Sequence, residues 1–312
     1  MLTLQARSNP LHSLRHGFPR YFRQMSTLRQ LTTDLAAKLA TIYPVPEAES
    51  IAALVLEHLL GLTPLQRRMQ AQELVPESVQ EQLPALQERL LRHEPLQYVL
   101  GEAWFMDMTL EVTPATLIPR PETEELVQLI VREQAGREAE LSVLDVGTGS
   151  GCIPLALCRA LQPTQVTAVD ISEAALTVAR RNAERYGCEI DFQQLDILAE
   201  VPQAVLLQSL DILVSNPPYV LESERAQMRP NVLEFEPATA LFVPDHDPLL
   251  FYRRIAKLGT TLLQPGGRLY FEINEQYAAE TIELLVSLGY TAVAAHDDIF
   301  GKARMVRATW DR

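Results

Sequence analysis

Leu141-Ser142-Val143-Leu144-Asp145-Val146-Gly147-Thr148-Gly149-Ser150-Gly151 is the stretch on which the fold turns. A short apolar run reads as a buried strand. It ends in a turn with glycine at every second position, and a helical segment, 152–161, follows at once. Glycines in such a strand–turn–helix unit let backbone N–H groups approach a ligand and let the helix start tight against the sheet. The pattern is one residue short of the G-x-G-x-x-G dinucleotide fingerprint and lacks the Lys-Ser/Thr ending of a phosphate loop. Asp145, just ahead of it, would repel a pyrophosphate but suits a cationic, phosphate-free ligand such as S-adenosylmethionine.

Strands and helices alternate on the C-terminal side. Apolar runs at 166–169, 189–194, 211–215 and 269–273 are separated by helical patterns at 173–186, 248–263 and 276–288. That alternation predicts a mostly parallel sheet covered on both faces. Two further runs, 290–294 and 304–309, have no helix between them, which predicts a final antiparallel hairpin and seven strands in all. Asp170 ends the second strand, nineteen residues after Gly151. A carboxylate there faces the crevice and can accept both hydroxyls of a ribose; it could equally begin the next helix, although Ser172 can serve as that cap. Asp196, at the end of the third strand, is placed to accept from an adenine amino group or is an ordinary loop acid.

Upstream the character changes. Between residues 26 and 95 the one glycine is Gly61, and apolar residues recur at helical spacing, as in Leu28, Leu31, Leu35 and Leu39 and in Ile51, Leu54, Val55 and Leu59. Prolines at 44, 46, 64, 76, 84 and 95 punctuate the run at helix starts and joints, where a missing N–H is tolerated. A small all-helical domain of four or five helices is expected over 25–95. Residues 96–120 read as a hairpin linker, starting at Gln97-Tyr98-Val99-Leu100-Gly101, and residues 121–312 as the α/β domain. After Pro119-Arg120-Pro121, Glu122 or Thr123 can open a helix. Residues 1–24 are Arg-rich and acid-free, the composition of a mitochondrial transit peptide. The plainer alternative is an over-extended start upstream of Met25. A non-structural leader is favoured over a signal that is used, and neither reading makes these residues part of the fold.

Composition narrows the function. The net charge is −13 over 312 residues, and five of the 27 basic residues fall in the first 33, where there is no acid. The remaining body is more acidic still, a poor match for nucleic acid, whose affinity comes largely from Lys and Arg on phosphates. No apolar run approaches the roughly eighteen residues of a membrane span. Three cysteines (Cys152, Cys158, Cys188) make no disulfide framework and lack metal-ligand spacing, which favours a reducing compartment. Asp245-His246-Asp247 reads as a solvated loop, because three adjacent residues do not converge readily on one ion. No metal is expected. Glu272 is a crevice carboxylate or a plain strand-end acid.

The sharpest signal is Ser215-Asn216-Pro217-Pro218-Tyr219 at the end of the fourth strand. Two prolines stop a central strand and hold a rigid loop over the crevice. Rigidity suits a planar nitrogen with a delocalised lone pair. The Asn216 side-chain oxygen and the Pro217 carbonyl can hold its two protons, and Tyr219 offers a flat wall.

With these motifs together, the sequence resembles the release factor glutamine methyltransferases from about residue 26 to its end. The resemblance is carried by Gln97-Tyr98 with Gly101-Glu102, by Pro114 to Glu124 (Pro-Ala-Thr-Leu-Ile-Pro-Arg-Pro-Glu-Thr-Glu) and by Leu144 to Gly151. Asn216-Pro217-Pro218-Tyr219 and Phe235-Glu236-Pro237 with Ala240-Leu241 complete it. It implies a class I S-adenosylmethionine-dependent methyltransferase: a Rossmann-like, seven-stranded, mostly parallel sheet with a C-terminal antiparallel hairpin, preceded by a small helical domain that grips the release factor. It further implies that Gly147, Thr148, Gly149, Ser150, Gly151, Asp170, Asp196, Ile197 and Asn216 hold S-adenosyl-L-methionine. Ile197 stands where some relatives carry a tryptophan beside adenine. The glutamine of a Gly-Gly-Gln loop in a peptide chain release factor would be bound by Asn216, Pro217, Pro218 and Tyr219, with Arg120 also on the substrate side. Asn216, Pro217 and Tyr219 would carry the catalysis. A cytoplasmic monomer is expected, or a mitochondrial matrix protein if the leader is used. An adenine-N6 methyltransferase shares the planar-nitrogen problem, and a non-catalytic release-factor-binding adaptor is a further alternative. The acidic body argues against the first and the intact Asn216 tetrapeptide against the second.

Overall fold

The structure is a computed structural model that describes residues 26–136, 141–163, 165–202 and 209–312. The leader lies outside these residues. Two compact units divide between Pro84 and Ala85, inside a helix.

The first unit holds α1 (Leu28–Leu39), α2 (Val45–Leu60), α3 (Pro64–Met69) and the start of α4 (Glu77–Leu91). Thr27 and Thr63 each open a helix with a capping box, accepting from Gln30 N and Gln66 N while those glutamines reach back, so two orphan donors are satisfied at each start. Leu28, Leu56, Val75 and Val79 form the centre of a small core, with Leu31 and Leu59 packed against it. Leu54, read in sequence as part of the α2 stripe, is exposed.

The second unit continues through α5 (Leu96–Leu100), β1 (Glu102–Phe105), β2 (Met108–Glu111) and α6 (Pro121–Gln134). The hairpin expected from Gln97 therefore begins later. Pro95 opens a single helical turn and Gly101, at φ +77°, closes it; five residues are too few to display a period. The β1–β2 hairpin is tied to the chain beyond α6, because Asn182 accepts from Glu111 N at 2.7 Å and donates to both Glu111 O and Ser150 O at 3.0 Å. The α6 start also differs from expectation. Arg120 occupies the cap position without a side-chain capping bond and Pro121 is the first helical residue, which releases Thr123 for another role.

The large sheet comes next: β3 (Ser142–Val146), α7 (Cys152–Leu161), β4 (Gln165–Asp170), α8 (Glu173–Tyr186), β5 (Asp191–Gln194) and β6 (Leu210–Ser215). After a small parallel pair of β7 (Val220–Leu221) and β8 (Phe242–Val243), with α9 (Pro230–Leu233) and α10 (Ala238–Leu241) between, come α11 (Leu250–Leu262), β9 (Leu263–Glu272), α12 (Ala278–Leu288), β10 (Thr291–Asp297) and β11 (Ala303–Trp310). Strand order is β10-β11-β9-β6-β3-β4-β5. The five strands from β9 to β5 are parallel, and β11 runs antiparallel to both β9 and β10. Seven strands, mostly parallel, with a terminal antiparallel hairpin, are as the sequence predicts. Strand β9 starts earlier than its apolar run, because Pro265 and Gly266 sit at a register shift against β6 instead of ending the strand.

Val143 and Leu144 are both buried in different apolar clusters, one on each side of the sheet, the burial that a parallel sheet requires. The chain runs from β3 outward to β5 and then returns to the other side of β3 with β6. Ligands of open α/β sheets bind at this reversal, beyond the strands' carboxyl ends.

Gly151, at φ +82°, lets α7 start against α8: a Cβ there would lie 3.2 Å from Ala179 Cβ and 3.3 Å from Leu155 Cδ1. Gly187 closes α8 at φ +64° with nothing near its missing Cβ. Gly187→Ala should cost about 1–2 kcal/mol for the left-handed backbone, and Gly151→Ala about 2–4 kcal/mol with overpacking added. Urea midpoints of the two variants measure the difference; equal losses would mean that α7 and α8 are not in close contact there.

Candidate active site

A cavity of about 310 Å³ opens at the carboxyl edge of β3, β4, β5 and β6. Each strand end contributes to its wall: Gly147 and Gly149 after β3, Asp170 and Ile171 at β4, Asp196 and Ile197 after β5, and Asn216, Pro217 and Pro218 after β6. The glycine turn folds back on β4, with Gly147 N and Thr148 N both donating to Val169 O at 2.9 and 3.1 Å. Gly147 and Gly149 adopt φ +78° and +55°. Thr148, Ser150 and Gly151 are not part of the cavity wall, and the Thr148 and Ser150 hydroxyls are buried without a partner.

Asp170 is held by two backbone donors, Gly149 N to Oδ2 at 2.8 Å and Ser172 N to Oδ1 at 2.9 Å. Ser172 itself caps α8 through Ala175 N. Burial raises the Asp170 pKa and the backbone N–H groups oppose the rise. Each carboxylate oxygen keeps acceptor capacity, since an ionised carboxyl offers about four lone-pair sites. Asp196 accepts from Leu198 N at 2.9 Å, and Ile197 is buried beside it.

Asp145 lies behind the cavity, fully buried, with neither carboxylate oxygen hydrogen-bonded. Burial pushes its pKa up to about 7, the neighbouring Asp170 charge adds to this, and the Thr148 hydroxyl tempers it without closing a hydrogen bond.

The Asn216 segment is braced from three sides. Asn216 Nδ2 donates to Thr123 Oγ1 at 3.1 Å, Tyr219 OH donates to Glu272 Oε1 at 3.1 Å, and Asn274 Nδ2 donates to Tyr219 O at 3.2 Å. The Tyr219 ring packs against the sheet's apolar cluster, and Tyr219 is not part of the cavity wall. Burial and the nearby Glu272 carboxylate hold its hydroxyl protonated.

Arg120 is also outside the wall. It is ion-paired with the buried Glu236, whose other oxygen accepts from Ile118 N at 3.1 Å. Phe235 packs against Tyr98, Ala103, Val112 and Ile118, and Tyr98 OH donates to Thr116 O at 2.6 Å. The Ile-Pro-Arg-Pro and Phe-Glu-Pro blocks thus meet, which fixes the 115–118 segment whose Ala115 and Leu117 line the cavity. Sequence reasoning found no partner for Thr123, Glu236 or Glu272, because each acts through one more than 100 residues away. The acids flanking His246 are committed separately: Asp245 to Ser223 N and Oγ, Asp247 to both arms of Arg253.

A Rossmann-like sheet with a glycine turn, a second-strand acid and an Asn-Pro-Pro-Tyr segment at one cavity defines a class I S-adenosylmethionine-dependent methyltransferase. Residues 123–234 match the Methyltransferase small domain and residues 30–101 the PrmC N-terminal domain. The Release factor glutamine methyltransferase of Bacteroides thetaiotaomicron is 43% identical over 281 residues, covering 90% of this chain and 99% of the relative. That of Flavobacterium psychrophilum is 39% identical, covering 91% and 99%. A solved release factor-specific protein-(glutamine-N5) methyltransferase from Alicyclobacillus acidocaldarius is 30% identical, with 65% of this chain and 100% of that chain covered and a TM-score of 0.39. The chain belongs to the release factor glutamine methyltransferase family.

The Asp145 carboxyl has a stability consequence. Its native pKa of about 7 exceeds the ordinary 3.8, so between those values the folded state holds a proton that the unfolded state has released. Folding stability from this group falls as pH rises through that window, by at most ~1.4 kcal/mol per pH unit, and levels off above it. Asp145→Asn should remove the slope. Urea unfolding of parent and variant from pH 5 to 8 should show the parent losing stability relative to Asp145→Asn up to about 7; a constant difference across the range would contradict the shift.

Proposed function

We propose that this chain transfers the methyl group of S-adenosyl-L-methionine to the side-chain amide nitrogen of the glutamine in the Gly-Gly-Gln loop of a peptide chain release factor. The observation that carries the reading is the convergence of Gly147, Gly149, Asp170, Asn216 and Pro217 on one cavity, in a chain whose relatives bear that name. The wall fits the cofactor. Gly147 and Gly149 bring bare backbone to it, Asp170 keeps acceptor sites for the ribose hydroxyls, and Ile171, Ile197 and Leu198 offer apolar contact for adenine.

The cofactor supplies an electrophilic methyl on sulfur. What remains is to make an amide nitrogen nucleophilic, which is hard because its lone pair is shared with the carbonyl. The Asn216 side-chain oxygen and the Pro217 carbonyl accept its two N–H groups and turn the lone pair toward the methyl. As the new N–C bond forms, positive charge grows on the nitrogen, so both acceptors bind more strongly at the transition state than before it. The methyl–sulfur bond would break as the N–C bond forms, releasing a neutral thioether. One of the two protons then passes to solvent, so that the product is the N-methyl amide. Positioning of this kind supplies about 7–11 kcal/mol in favourable systems, and no strong base is required before attack. Pro217 and Pro218 keep the loop rigid, and Tyr219 shapes its far side. We assign residues 25–95 to grip of the release factor, with Arg120 supporting the substrate side through the segment it anchors. The bacterial sources of the relatives favour a cytoplasmic setting.

Asn216→Ala should bind S-adenosylmethionine nearly as the parent does while turnover on release factor falls about 10²–10³-fold. A full-rate variant would mean that another group orients the nitrogen. Asp170→Ala should weaken S-adenosylmethionine binding by about 1.5–3 kcal/mol through loss of hydrogen bonds to a charged group. Calorimetry showing unchanged affinity would remove Asp170 from the cofactor site.

A further inference from the structure

The end of β9 and the start of α6 hold a buried side-chain relay that terminates on Asn216. Glu272 is wholly buried. Its Oε2 accepts from Thr123 Oγ1 at 2.6 Å and its Oε1 from Tyr219 OH at 3.1 Å. Thr123, also buried, accepts in turn from Asn216 Nδ2 at 3.1 Å.

The order of donors is fixed by the carboxylate. The hydroxyls of Thr123 and Tyr219 both donate to Glu272. Burial pulls its pKa up, and these bonds and the Arg304 charge oppose the rise. As a carboxylate it is acceptor-only, and both protons point at it. With its proton committed, the Thr123 oxygen presents lone pairs to Asn216, and the Asn216 amide satisfies them with its NH₂ end. An asparagine amide is otherwise free to sit in either of two orientations of similar shape, and its network decides between them. This network leaves the carbonyl oxygen as the group Asn216 can offer to the cavity it lines. In the opposite orientation Asn216 would present a donor to a substrate amide that itself donates.

We propose that Thr123 and Glu272 are positioning residues for methyl transfer, which orient the Asn216 amide so that its oxygen faces the substrate nitrogen. This rests on the proposed function for the identity of the substrate, but the orientation of Asn216 does not. Neither residue touches the reacting atoms. Thr123 lies 93 residues from Asn216 and Glu272 lies 149 from Thr123, so three elements of the fold converge to set one amide.

The test compares Thr123→Val, Thr123→Ser and Glu272→Gln with the parent, using release factor and S-adenosylmethionine. Valine keeps the shape of threonine and removes both relay bonds. Thr123→Val should lower kcat about 10–100-fold, the usual cost of losing an orienting partner, with KM for release factor and affinity for S-adenosylmethionine little changed. Serine, which keeps the hydroxyl, should restore most of the rate. Glu272→Gln introduces a donor among the hydroxyls and should lower kcat in the same way. A parent-like kcat in Thr123→Val, or a rise in KM alone, overturns the proposal, as does failure of serine to rescue.

A second readout needs no methyl acceptor. With asparagine side chains labelled with nitrogen-15 and the Asn216 signal assigned by its loss in Asn216→Asp, the parent should show hydrogen-bonded amide protons that Thr123→Val shifts and Thr123→Ser returns. An Asn216 amide signal identical in parent and Thr123→Val overturns the relay. A parent inactive on release factor that still shows these shifts overturns the substrate and leaves the relay standing.

Discussion

A carboxylate removed from water costs several kcal/mol unless every lone pair it presents is answered, and Glu272 sits fully buried at the end of β9. Its neighbours are arranged to meet that constraint. Thr123 and Tyr219 turn their hydroxyls toward it, and the Arg304 guanidinium from β11 opposes the upward pull of burial on its pKa. Arg304 is in turn paired with Asp298 at the hairpin tip. One acid therefore joins the start of α6, the loop after β6 and the C-terminal hairpin. The loop after β6 carries Asn216, Pro217 and Pro218, which line the cavity.

The sheet explains why these groups gather in one place. Parallel strands send every carboxyl end to the same edge, and the reversal between β3 and β6 opens a gap there that helices do not fill. Backbone fills the role of side chains on one side of the cavity, where the glycine turn is tied to Val169. On the other side, the Asn216-Pro217-Pro218-Tyr219 segment is held by its two prolines, by the bond that Asn216 Nδ2 donates to Thr123 and by the bond that Asn274 Nδ2 donates to Tyr219 O. The Glu236–Arg120 pair closes a third side by fixing the 115–118 segment. The cavity is thus walled by rigid groups, which suits the proposed amide attack because that attack depends on alignment.

Local signals in the sequence were legible where a residue's role is set by its own strand or turn. The alternation of apolar runs yields all seven strands, Asp170 and the glycine turn announce themselves by spacing, and Asn216-Pro217-Pro218-Tyr219 has no economical structural explanation. Ser172 was recognisable as the α8 cap. Residues whose role is defined by a distant partner were not legible. Thr123 reads as a helix cap, yet Pro121 starts α6 and the hydroxyl goes to Glu272. Arg120 is set on the substrate side by the family resemblance alone, and its ion pair with the distant Glu236 leaves no mark in the local sequence. The Gln97 segment reads as strand because one helical turn is too short to show a period. The early start of β9 was not legible, because a register shift inside a strand leaves no mark in apolar spacing.

In the proposed mechanism Asn216 and Pro217 face the substrate with two acceptors, in an arrangement set by the buried network behind them. The most direct measurement is a crystal structure of the protein with S-adenosylhomocysteine and a release factor bound together. The glutamine amide nitrogen should lie at hydrogen-bond distance, about 2.7–3.2 Å, from both Asn216 Oδ1 and Pro217 O. It should also lie in line with the cofactor sulfur, with Asn216 Nδ2 still on Thr123. An Asn216 amide turned with its nitrogen toward the substrate, or a glutamine held by other groups, would contradict this mechanism.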